Sequence, residues 1–548
     1  MQHAPDINTP HNTIILCGGG INFVNLPVHS NTNNSMIPVN GKPVISWILS
    51  DLIEKGIRSV IVVLKETNTR LRTFIDRNYR HNLQVTYVTL STSESIVYSL
   101  FEGLKAGQTQ LPTRVILGDT LIRDTYPAHS DYIFVQEVND SQRWCVADVS
   151  TYGTVTGYHD KQPHVPRPHF AVCGHYTFSN TGLLIDSTAV CYALQKKQLS
   201  DVLLSYQQKQ PVTAVKAEQW FDFGNIDNLL KAKQQLLQSR FFNSLSIDPL
   251  LNTITKISEF DEKLRHELQW YKLLPARLRV LTPRIISEEI INNRLHLVQE
   301  YYGYPTLSEL FLYSDLDEEL WESIFMKLFA LNGIFRQHTA SPDSMDATDL
   351  YLTKNFARVE AARAEPYWNI LLQQEEIFFN GKKLINFHSL ENEVRDRLQQ
   401  MADNSTCTIL HGDLCFSNIL YDTSNQIIRL IDPRGSFGKP GIYGDPRYDI
   451  AKLRHSVAGG YDYIVSDLFE LQENNGHFEG AIFKNENAPA LSQLFDAILQ
   501  QHGYILPDIR LIEAMLFISM VPLHKDKPQR QKMMYLTGLE QLNELICE

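Results

Sequence analysis

Strands and helices alternate along the first 119 residues, and this alternation restricts the fold more than any other feature. Short apolar runs predict strands at 13–17 (TIILC), 59–64 (SVIVVL) and 114–117 (RVIL). Between the first two runs, residues 43–57 carry apolar side chains at helical spacing. Strands that alternate with helices in this way form a mostly parallel sheet with helices on its faces. We therefore expect an α/β domain at this end of the chain.

The pattern changes near residue 240. Residues 241–258 contain two short strands around a turn, and an amphipathic helix and a further strand follow. Beyond about residue 305 most of the chain has helical periodicity, interrupted by one β-rich island at 409–435. This mixture is typical of an α+β domain. The predicted domains are residues 1–240 and 241–548.

The composition excludes several classes of protein. The 548 residues carry a formal net charge of −12, whereas a dedicated nucleic-acid-binding protein usually has a basic surplus. The seven cysteines are scattered singly, so neither a disulfide framework nor a structural zinc site is expected. The N-terminal residues lack the features of a signal peptide, and the apolar stretches are too short to span a bilayer. We expect a cytoplasmic protein with no membrane insertion and no nucleic-acid partner.

The strongest chemical signal is HGDLCFSN at 411–418, followed by IDPR at 431–434. Phosphoryl transfer from ATP requires a group that orients the attacking hydroxyl and oxygen ligands that hold Mg²⁺ against the phosphates. Asp413 is the predicted catalytic residue, which would accept the hydroxyl proton. Asn418 and Asp432 are the predicted Mg²⁺ ligands. His411 would support the loop through hydrogen bonds.

This constellation resembles the aminoglycoside phosphotransferase and choline kinase family, whose loop reads HGDxxxxN before a metal-binding aspartate. The resemblance covers roughly residues 245–548. It implies a bilobal, protein-kinase-like α+β domain, with ATP as the phosphoryl donor and Mg²⁺ as the cofactor. The acceptor would be a small molecule with a hydroxyl group.

The same resemblance assigns upstream residues to nucleotide binding. Lys256, in TITKIS, lies where the strand lysine of the family contacts the ATP phosphates. Its ion-pair partner would be Glu267 on the next helix, with Glu262 as the competing candidate. The segment that contains Glu300 and Tyr301 would be the hinge that meets adenine through its backbone.

Some residues near these motifs have two interpretations. Arg434 could bind an anionic group of the substrate or form a structural salt bridge. Arg447 and Asp449 are expected to pin a helix. Aromatic residues of the helical region could form a cage for a quaternary ammonium group, but their spacing favours packing in the core. These aromatic residues are Trp321, Tyr351, Tyr367 and Trp368.

A glycine run follows the first predicted strand. Glycines allow backbone N–H groups to approach phosphates closely. LCGGG (16–20) and the later NGKPVISWIL resemble the opening of sugar-phosphate nucleotidyltransferases, and the resemblance extends over about 12–240. It implies a Rossmann-like fold and Mg²⁺ ligands at Asp119 and Asp222. The implied nucleotide-binding residues are Gly18, Gly19, Gly20 and Lys42.

Two positions depart from that family. Phe23 stands where the family has the arginine that holds the triphosphate, and Asn34 stands where it has a lysine. Both family residues supply charge that stabilises the leaving pyrophosphate. Two interpretations therefore stay open. This domain transfers a nucleotidyl group, or it has kept only the fold and serves in binding, scaffolding or dimerisation.

The main hypothesis is a bifunctional enzyme. One domain phosphorylates a sugar, polyol or amino alcohol with ATP, and the other activates a phosphate ester with CTP, UTP, GTP or dTTP. Such fusions resemble bacterial enzymes that prepare building blocks for capsule or lipopolysaccharide. The alternative is a small-molecule kinase with an inactive nucleotidyltransferase-fold domain, and a third interpretation is an interaction protein in which both domains are degenerate. The sequence leaves a homo-oligomer open.

Overall fold

The computed structural model divides into two compact units. The first combines Met1–Leu236 with Tyr313–Asp315, and the second combines Leu237–Leu312 with Leu316–Glu548. Gly20 and Phe23 lie outside the described residues. The residues described are 10–19, 33–92, 94–129, 131–163, 165, 167–224, 226–236, 243–258, 261–314, 316–474 and 476–547.

The first unit is an α/β domain with thirteen strands and six α-helices among its described residues. The strands are β1 (Asn12–Leu16), β2 (Pro38–Val39), β3 (Lys42–Pro43), β4 (Ser59–Lys65), β5 (Gln84–Leu90), β6 (Thr113–Leu117), β7 (Thr120–Ile122), β8 (Tyr132–Val138), β9 (Cys145–Val149), β10 (Val155–Asp160), β11 (His169–Phe178), β12 (Thr213–Lys216) and β13 (Trp220–Asp222). The helices are α1 (Val44–Glu54), α2 (Thr69–Tyr79), α3 (Ile96–Lys105), α4 (Thr181–Ala193), α5 (Leu199–Gln207) and α6 (Ile226–Gln235).

The predicted parallel sheet is confirmed for β1, β4, β5 and β6. The main sheet runs β10-β9-β11-β6-β1-β4-β5, with β8 beside β11 and β12 beside β8. Strand β1 lies between β4 and β6 and is parallel to both, with Ile14 opposite Ile61 and Val115. Every residue of β1 is buried, which explains its continuous apolar run. Strand β11 is antiparallel to β6, β8 and β9, whereas β12 is parallel to β8.

The carboxyl ends of β1 and β6 lie side by side, which places two sequence motifs together. The N–H of Gly118 donates to the carbonyl of Leu16 at 2.9 Å. A side chain at Gly118 would overlap Ser35 and the Sγ atom of Cys17, so this close approach of two strand ends requires glycine. Ligands of open α/β sheets bind at this edge of the sheet, and Asp119 is the next residue.

The second unit has twelve strands and eleven α-helices among its described residues. The strands are β14 (Asn243–Asp248), β15 (Thr253–Ser258), β16 (Ile285–Ile291), β17 (Arg294–Glu300), β18 (Glu376–Phe379), β19 (Lys382–Ile385), β20 (Thr408–Ile409), β21 (Ile419–Asp422), β22 (Ile427–Leu430), β23 (Tyr443–Gly444), β24 (Phe469–Asn474) and β25 (His477–Ile482). The helices are α7 (Asp261–Leu273), α8 (Leu307–Tyr313), α9 (Glu318–Arg336), α10 (Lys354–Arg363), α11 (Pro366–Leu372), α12 (Phe387–Asp403), α13 (Pro446–Val457), α14 (Tyr461–Val465), α15 (Ala488–Gln501), α16 (Leu506–Met520) and α17 (Pro528–Ile546).

An antiparallel sheet, β14-β15-β17-β16, opens the second unit. Helix α7 packs on it through a cluster that includes Leu264, Leu268 and Leu297. Further along the chain, the hairpin β21–β22 lies between the two predicted metal ligands, since Asn418 directly precedes β21 and Asp432 follows β22. The predicted α+β organisation of this half is confirmed.

A second sheet in this half, β19-β18-β25-β24, contradicts the prediction that 409–435 is the one β-rich island after residue 305. Its hairpin β18–β19 turns at Asn380 and Gly381, which have φ angles of 50° and 75°. Asn-Gly is the favoured pair for such a turn. The sequence therefore contained the signal, but charged residues between the apolar ones obscured it.

None of the helices in the described part of the chain combines the length and the hydropathy that a membrane span needs.

Candidate active sites

The HGD loop joins β20 to β21 and is held by buried hydrogen bonds. The carboxylate of Asp449 accepts from the N–H groups of His411 and Gly412, both at 2.8 Å. The ring of His411 is buried, and its Nε2 lies 3.1 Å from the carbonyl of Ile431. Gly412 has φ +80°, and a side chain there would overlap the ring of Phe437. The loop is thus anchored on both sides.

Asp413 is fixed within this loop by two neighbours. Lys452 Nζ lies 2.9 Å from its Oδ1, and Asn418 Nδ2 donates to its Oδ2 at 3.1 Å. Its side chain nevertheless retains 39% exposure. Burial alone would raise the pKa of this carboxyl, but Lys452 and Arg434 outweigh it and hold the pKa well below its ordinary value.

Lys256 joins two carboxylates. Its Nζ lies 2.9 Å from both carboxylate oxygens of Glu267 and 2.5 Å from Oδ1 of Asp432. Glu262 borders the same cavity, but Lys256 is paired with Glu267. Burial would lower the pKa of Lys256, whereas these two carboxylates raise it. Burial raises the pKa of Glu267 to about 7, against the opposing effect of Lys256.

The oxygen atoms near Asp413 fit a hard divalent cation. Asn418 is buried, and its amide nitrogen points to Asp413, which leaves Oδ1 with a 3.5 Å contact from Ser417. Asp432 adds a carboxylate. Mg²⁺ is usually bound by one or two protein oxygens together with water and substrate phosphates. No cluster of three or more His, Cys, Asp or Glu side chains suited to a metal occurs among the described residues.

Asp413 and Asp432 border one cavity of about 560 Å³. It brings together Lys256, Asp413 and Asp432 with cationic residues that the sequence analysis did not identify. Those residues are Lys263, Lys354, Arg358 and Lys452. Arg434 also faces this cavity and donates to the hydroxyl of Tyr448 at 3.0 Å. No family motif marks Lys354 and Arg358, although their four-residue spacing places them on one face of a helix.

The structure limits what the predicted hinge can do. The N–H of Glu300 donates to the carbonyl of Arg284 at 3.0 Å, and that of Tyr301 donates to the carbonyl of Asn252 at 2.8 Å. An adenine contact through these two residues would therefore have to use a carbonyl oxygen. Their role in nucleotide binding stays a prediction.

The remaining motif residues of this half have structural contacts. Arg447 pairs with Asp445, which caps the N-terminus of α13. Asp449 does more than pin this helix, because it holds the HGD loop. Trp321, Tyr351 and Trp368 are at most 2% exposed and pack in the core, whereas Tyr367, which was expected there too, is 36% exposed.

In the first unit, Asp119 and Asp222 border one cavity of about 790 Å³. Gly18 and Gly19 border a smaller cavity of about 140 Å³, which Asp119 also lines. The structure thus brings the glycine loop and the two aspartates together around Asp119. Lys42 is exposed on β3, with its Nζ 5.6 Å from the ring of Trp47, and is not among the residues that line these two cavities.

The two aspartates differ in their hydrogen bonds. Asp222 accepts from the N–H of Gly224 at 2.9 Å, from Trp144 Nε1 at 3.0 Å and from Asn228 Nδ2 at 2.7 Å. Asp119 accepts from Asn34 Nδ2 at 3.2 Å. Asn34, which departs from the family pattern, therefore binds the carboxylate itself.

The electrostatics of Asp119 fit a cation site. Burial raises the pKa of Asp119 to about 6, and the like charge of Asp222 adds to this rise. Lys161 opposes it and lines the cavity beside Arg143. A bound divalent cation would relieve the repulsion between the two carboxylates. The sequence did not predict Lys161 and Arg143 as residues of this cavity, because neither lies in a motif of the nucleotidyltransferase resemblance. Arg114 is buried instead against the ring of Tyr126.

Comparison with known proteins agrees with the sites described in the two units. Residues 12–239 match the family model for nucleotidyl transferases, and residues 241–462 match the phosphotransferase enzyme family. The chain is 23% identical over 233 residues to a glucose-1-phosphate thymidylyltransferase from Mycolicibacterium smegmatis, covering 40% of this chain and 80% of that protein. It is 21% identical over 361 residues to a glucose-1-phosphate thymidylyltransferase from Streptomyces griseus, covering 62% and 96%.

Among solved structures, HddC from Yersinia pseudotuberculosis in complex with GMP-PN aligns with 42% of this chain and 100% of its own, at 19% identity and a TM-score of 0.35. The family matches support an enzyme with nucleotidyltransferase and kinase activity, and enzymes of these families generally use nucleoside triphosphates and Mg²⁺. The two matches identify a nucleotidyltransferase fold in the region of residues 12–239 and a phosphotransferase-like, kinase-type domain in the region of residues 241–462.

Proposed function

We propose that the chain is a bifunctional enzyme that phosphorylates a small alcohol with ATP and activates a phosphate ester as a nucleoside diphosphate derivative. The observation that carries the kinase half is the meeting of Asp413, Asp432 and Lys256 in one cavity. Phosphoryl transfer depends mainly on positioning and on charge. An anchored carboxylate beside an ordered lysine provides both.

In this reaction an oxygen of the acceptor forms a bond to the γ-phosphorus of ATP. The bond from that phosphorus to the β–γ bridging oxygen breaks, and ADP leaves. Asp413 accepts the hydroxyl proton, and Lys256 holds the phosphates once Glu267 has oriented it. Asn418 and Asp432 would hold Mg²⁺, which neutralises phosphate charge when bound.

For the first domain we propose nucleotidyl transfer. An oxygen of a sugar phosphate or related ester would attack the α-phosphorus of CTP, UTP, GTP or dTTP, and pyrophosphate would leave. Gly18 and Gly19 would meet the nucleotide through their backbone, while Asp119 and Asp222 would hold Mg²⁺. Lys161 lines the same cavity and would supply a cation in place of the lysine that Asn34 has replaced.

The two steps could follow one another, because a kinase produces the kind of phosphate ester that a nucleotidyltransferase consumes. We propose that such an activated building block serves bacterial capsule or lipopolysaccharide synthesis in the cytoplasm. The resemblance of this fusion to such bacterial enzymes supports the proposal. A homo-oligomer would be compatible with it.

A second candidate function is that of a kinase with an inactive first domain. One observation favours it: three hydrogen-bond donors already occupy the carboxylate of Asp222. A metal ligand must give up lone pairs, so this carboxylate would have to release at least one donor or bind through the lone pair that is left.

A mass-spectrometric turnover screen of the full-length protein tests both functions. The reactions contain ATP, CTP, GTP, UTP and dTTP with Mg²⁺ and a pool of sugars, sugar phosphates, polyols and amino alcohols. A product heavier by one phosphate, together with a product that carries a nucleotide, is expected. Asp413→Asn should remove the first product, and Asp222→Ala should remove only the second. A phosphorylated product without any nucleotide adduct would favour the inactive first domain.

A further inference from the structure

The kinase cavity contains a group of cations that the transfer of phosphate from ATP does not require. We call Lys354, Arg358 and Arg434 the cationic wall. All three line the cavity that contains Asp413. Three positive charges act on Lys354, those of Arg434, Arg358 and Lys452. The negative charge of Asp349 opposes them. The wall is therefore a local excess of positive charge beside the predicted base.

The backbone forces these like charges together. Lys354 is the first residue of α10, and Arg358 follows it four residues later. The two side chains therefore lie on the same face of the helix. A π-helix at Asp349–Thr353 leads directly into this helix, and such segments occur frequently at functional sites. Like charges at this spacing destabilise a helix. A bound anion would remove that cost.

The wall is distinct from the group that would hold ATP. Lys256 forms ion pairs with Glu267 and Asp432, which raise its pKa. Arg358 and Arg434 instead interact with Asp413 and Tyr448. The cationic wall therefore acts on Asp413, the residue that would accept the proton of the acceptor hydroxyl. Three apolar side chains, Leu516, Met520 and Leu523, also line the cavity and could contact a carbon skeleton.

We propose that the acceptor of the kinase is an anionic alcohol, a hydroxyl compound that also carries a carboxylate or a phosphate, and that the cationic wall binds this anion. This inference rests on the proposed kinase function. It excludes amino alcohols such as ethanolamine and choline as preferred acceptors, because a cationic group would face the wall. Anchoring the anion on Arg358, Arg434 and Lys354 would orient the hydroxyl toward Asp413.

The test measures phosphorylation by the full-length protein with ATP and Mg²⁺ over matched acceptors. One series is glycerate, glycerol phosphate and glycerol, and another is glucuronate, glucose and glucosamine, with ethanolamine and choline added. The carboxylate or the phosphate member should exceed its neutral partner at least about 100-fold in kcat/KM, the order expected for charge-assisted contacts. The carboxylate and phosphate members show which anion is bound.

A matched variant separates the wall from the ATP site. Arg358→Gln should lower kcat/KM for the anionic acceptor about 10- to 100-fold, and much more than for its neutral partner, so that the ratio between the two acceptors falls, while the KM for ATP keeps its wild-type value. Arg358→Lys keeps the positive charge and should restore part of the lost kcat/KM. Such a rescue would show that the loss in Arg358→Gln is not caused by misfolding. Arg397→Gln, on the exposed face of α12, is the control and should behave as wild type.

Several results would overturn the inference. One is a preference for neutral or aminated acceptors, and another is no turnover of any anionic member by a protein that binds ATP with Mg²⁺. A rise in the KM for ATP in Arg358→Gln would assign the wall to the nucleotide instead. Failure to bind ATP with Mg²⁺ at all would reject the proposed kinase function itself, and calorimetric titration with ATP distinguishes that case from the others.

Discussion

Lys452 Nζ lies 2.9 Å from Oδ1 of Asp413, although the two residues are 39 positions apart in the chain. Lys452 is 5% exposed, so its ammonium group is held against this carboxylate rather than dissolved in water. It is the largest factor that keeps the pKa of Asp413 low against the effect of burial. The predicted base is therefore ionised across the whole ordinary pH range.

Lys452→Met should shift the acidic limb of the kinase pH profile upward. The base acts only when deprotonated, so its activity is lost as pH falls through its pKa. In the wild type this loss lies below the ordinary range of an aspartate, whereas without Lys452 only Arg434 and His411 oppose the effect of burial, so the pKa of Asp413 should rise. The measurement is kcat/KM from pH 4 to 8. An unchanged acidic limb would remove Lys452 from this role.

Asp449→Asn should weaken the anchoring of the HGD loop. An amide can offer only one acceptor oxygen, so one of the buried N–H groups of His411 and Gly412 loses its partner. The loss of such a hydrogen bond costs about 1–3 kcal/mol. We expect lower thermal stability and a drop of ~10-fold or more in kcat, since small displacements near the reacting atoms are costly. The control is Asp403→Asn on the exposed end of α12, and equal kcat in both variants would contradict the prediction.

The sequence supported the fold and the two motif regions because the relevant signals are local. The apolar run of β1, the glycines after it and the HGD loop each lie within a few residues, and each corresponds to one element of the structure. Lys256 and Glu267 are also close, in a strand and the helix that follows it. Local patterns of this kind can be recognised in a sequence without knowing which distant segments come into contact.

The roles and residues that the sequence did not predict, among them the role of Asp449 at the HGD loop, depend on contacts between distant segments. Asp449 and Lys452 lie one turn apart on α13, so both face the HGD loop, but nothing in DPRYDIAKLRHS says which loop the helix will meet. Lys354 and Lys161 reach their cavities from elements far from the motifs. The β18–β19 hairpin carries a local turn signal that its charged residues obscured, but the sheet it belongs to forms only when β18 pairs with β25, almost a hundred residues later.

Asp119→Asn should stabilise the protein near neutral pH while reducing nucleotidyl transfer. The pKa of Asp119 is raised from an ordinary value of 3.8 to about 6. Between these values the native state binds more protons than the unfolded chain, so stability falls as pH rises through this range. Removing the charge should therefore stabilise by about 1–2 kcal/mol at pH 7.

The gain in Asp119→Asn should disappear below about pH 4, where the wild-type carboxyl is protonated in both states. Thermal denaturation at pH 4 and pH 7, in the absence of Mg²⁺, checks the sign. A loss of stability at pH 7 would mean that the carboxylate is a structural acceptor for Asn34 rather than a group kept for a cation.

Lys354→Met should also stabilise the protein, with the opposite pH dependence. Arg434 is the strongest cause that lowers the pKa of Lys354, from an ordinary value of 10.5 to about 7, followed by burial. Between about pH 7 and 10.5 the unfolded chain binds more protons than the native state, so the stability of the wild type rises with pH. Below pH 7 both states are protonated and the full cost of the charge is present.

Methionine keeps the length of the side chain and removes its charge. Lys354→Met should therefore be more stable than the wild type at pH 6, by about 1–2 kcal/mol after allowance for solvent screening, and the difference should shrink by pH 9. The charged groups that act on Lys354 are Arg434, Arg358, Asp349 and Lys452. Chemical denaturation at both pH values measures the effect, with Lys383→Met on exposed β19 as the control. A destabilised variant at pH 6 would show that Asp349 outweighs the surrounding cations.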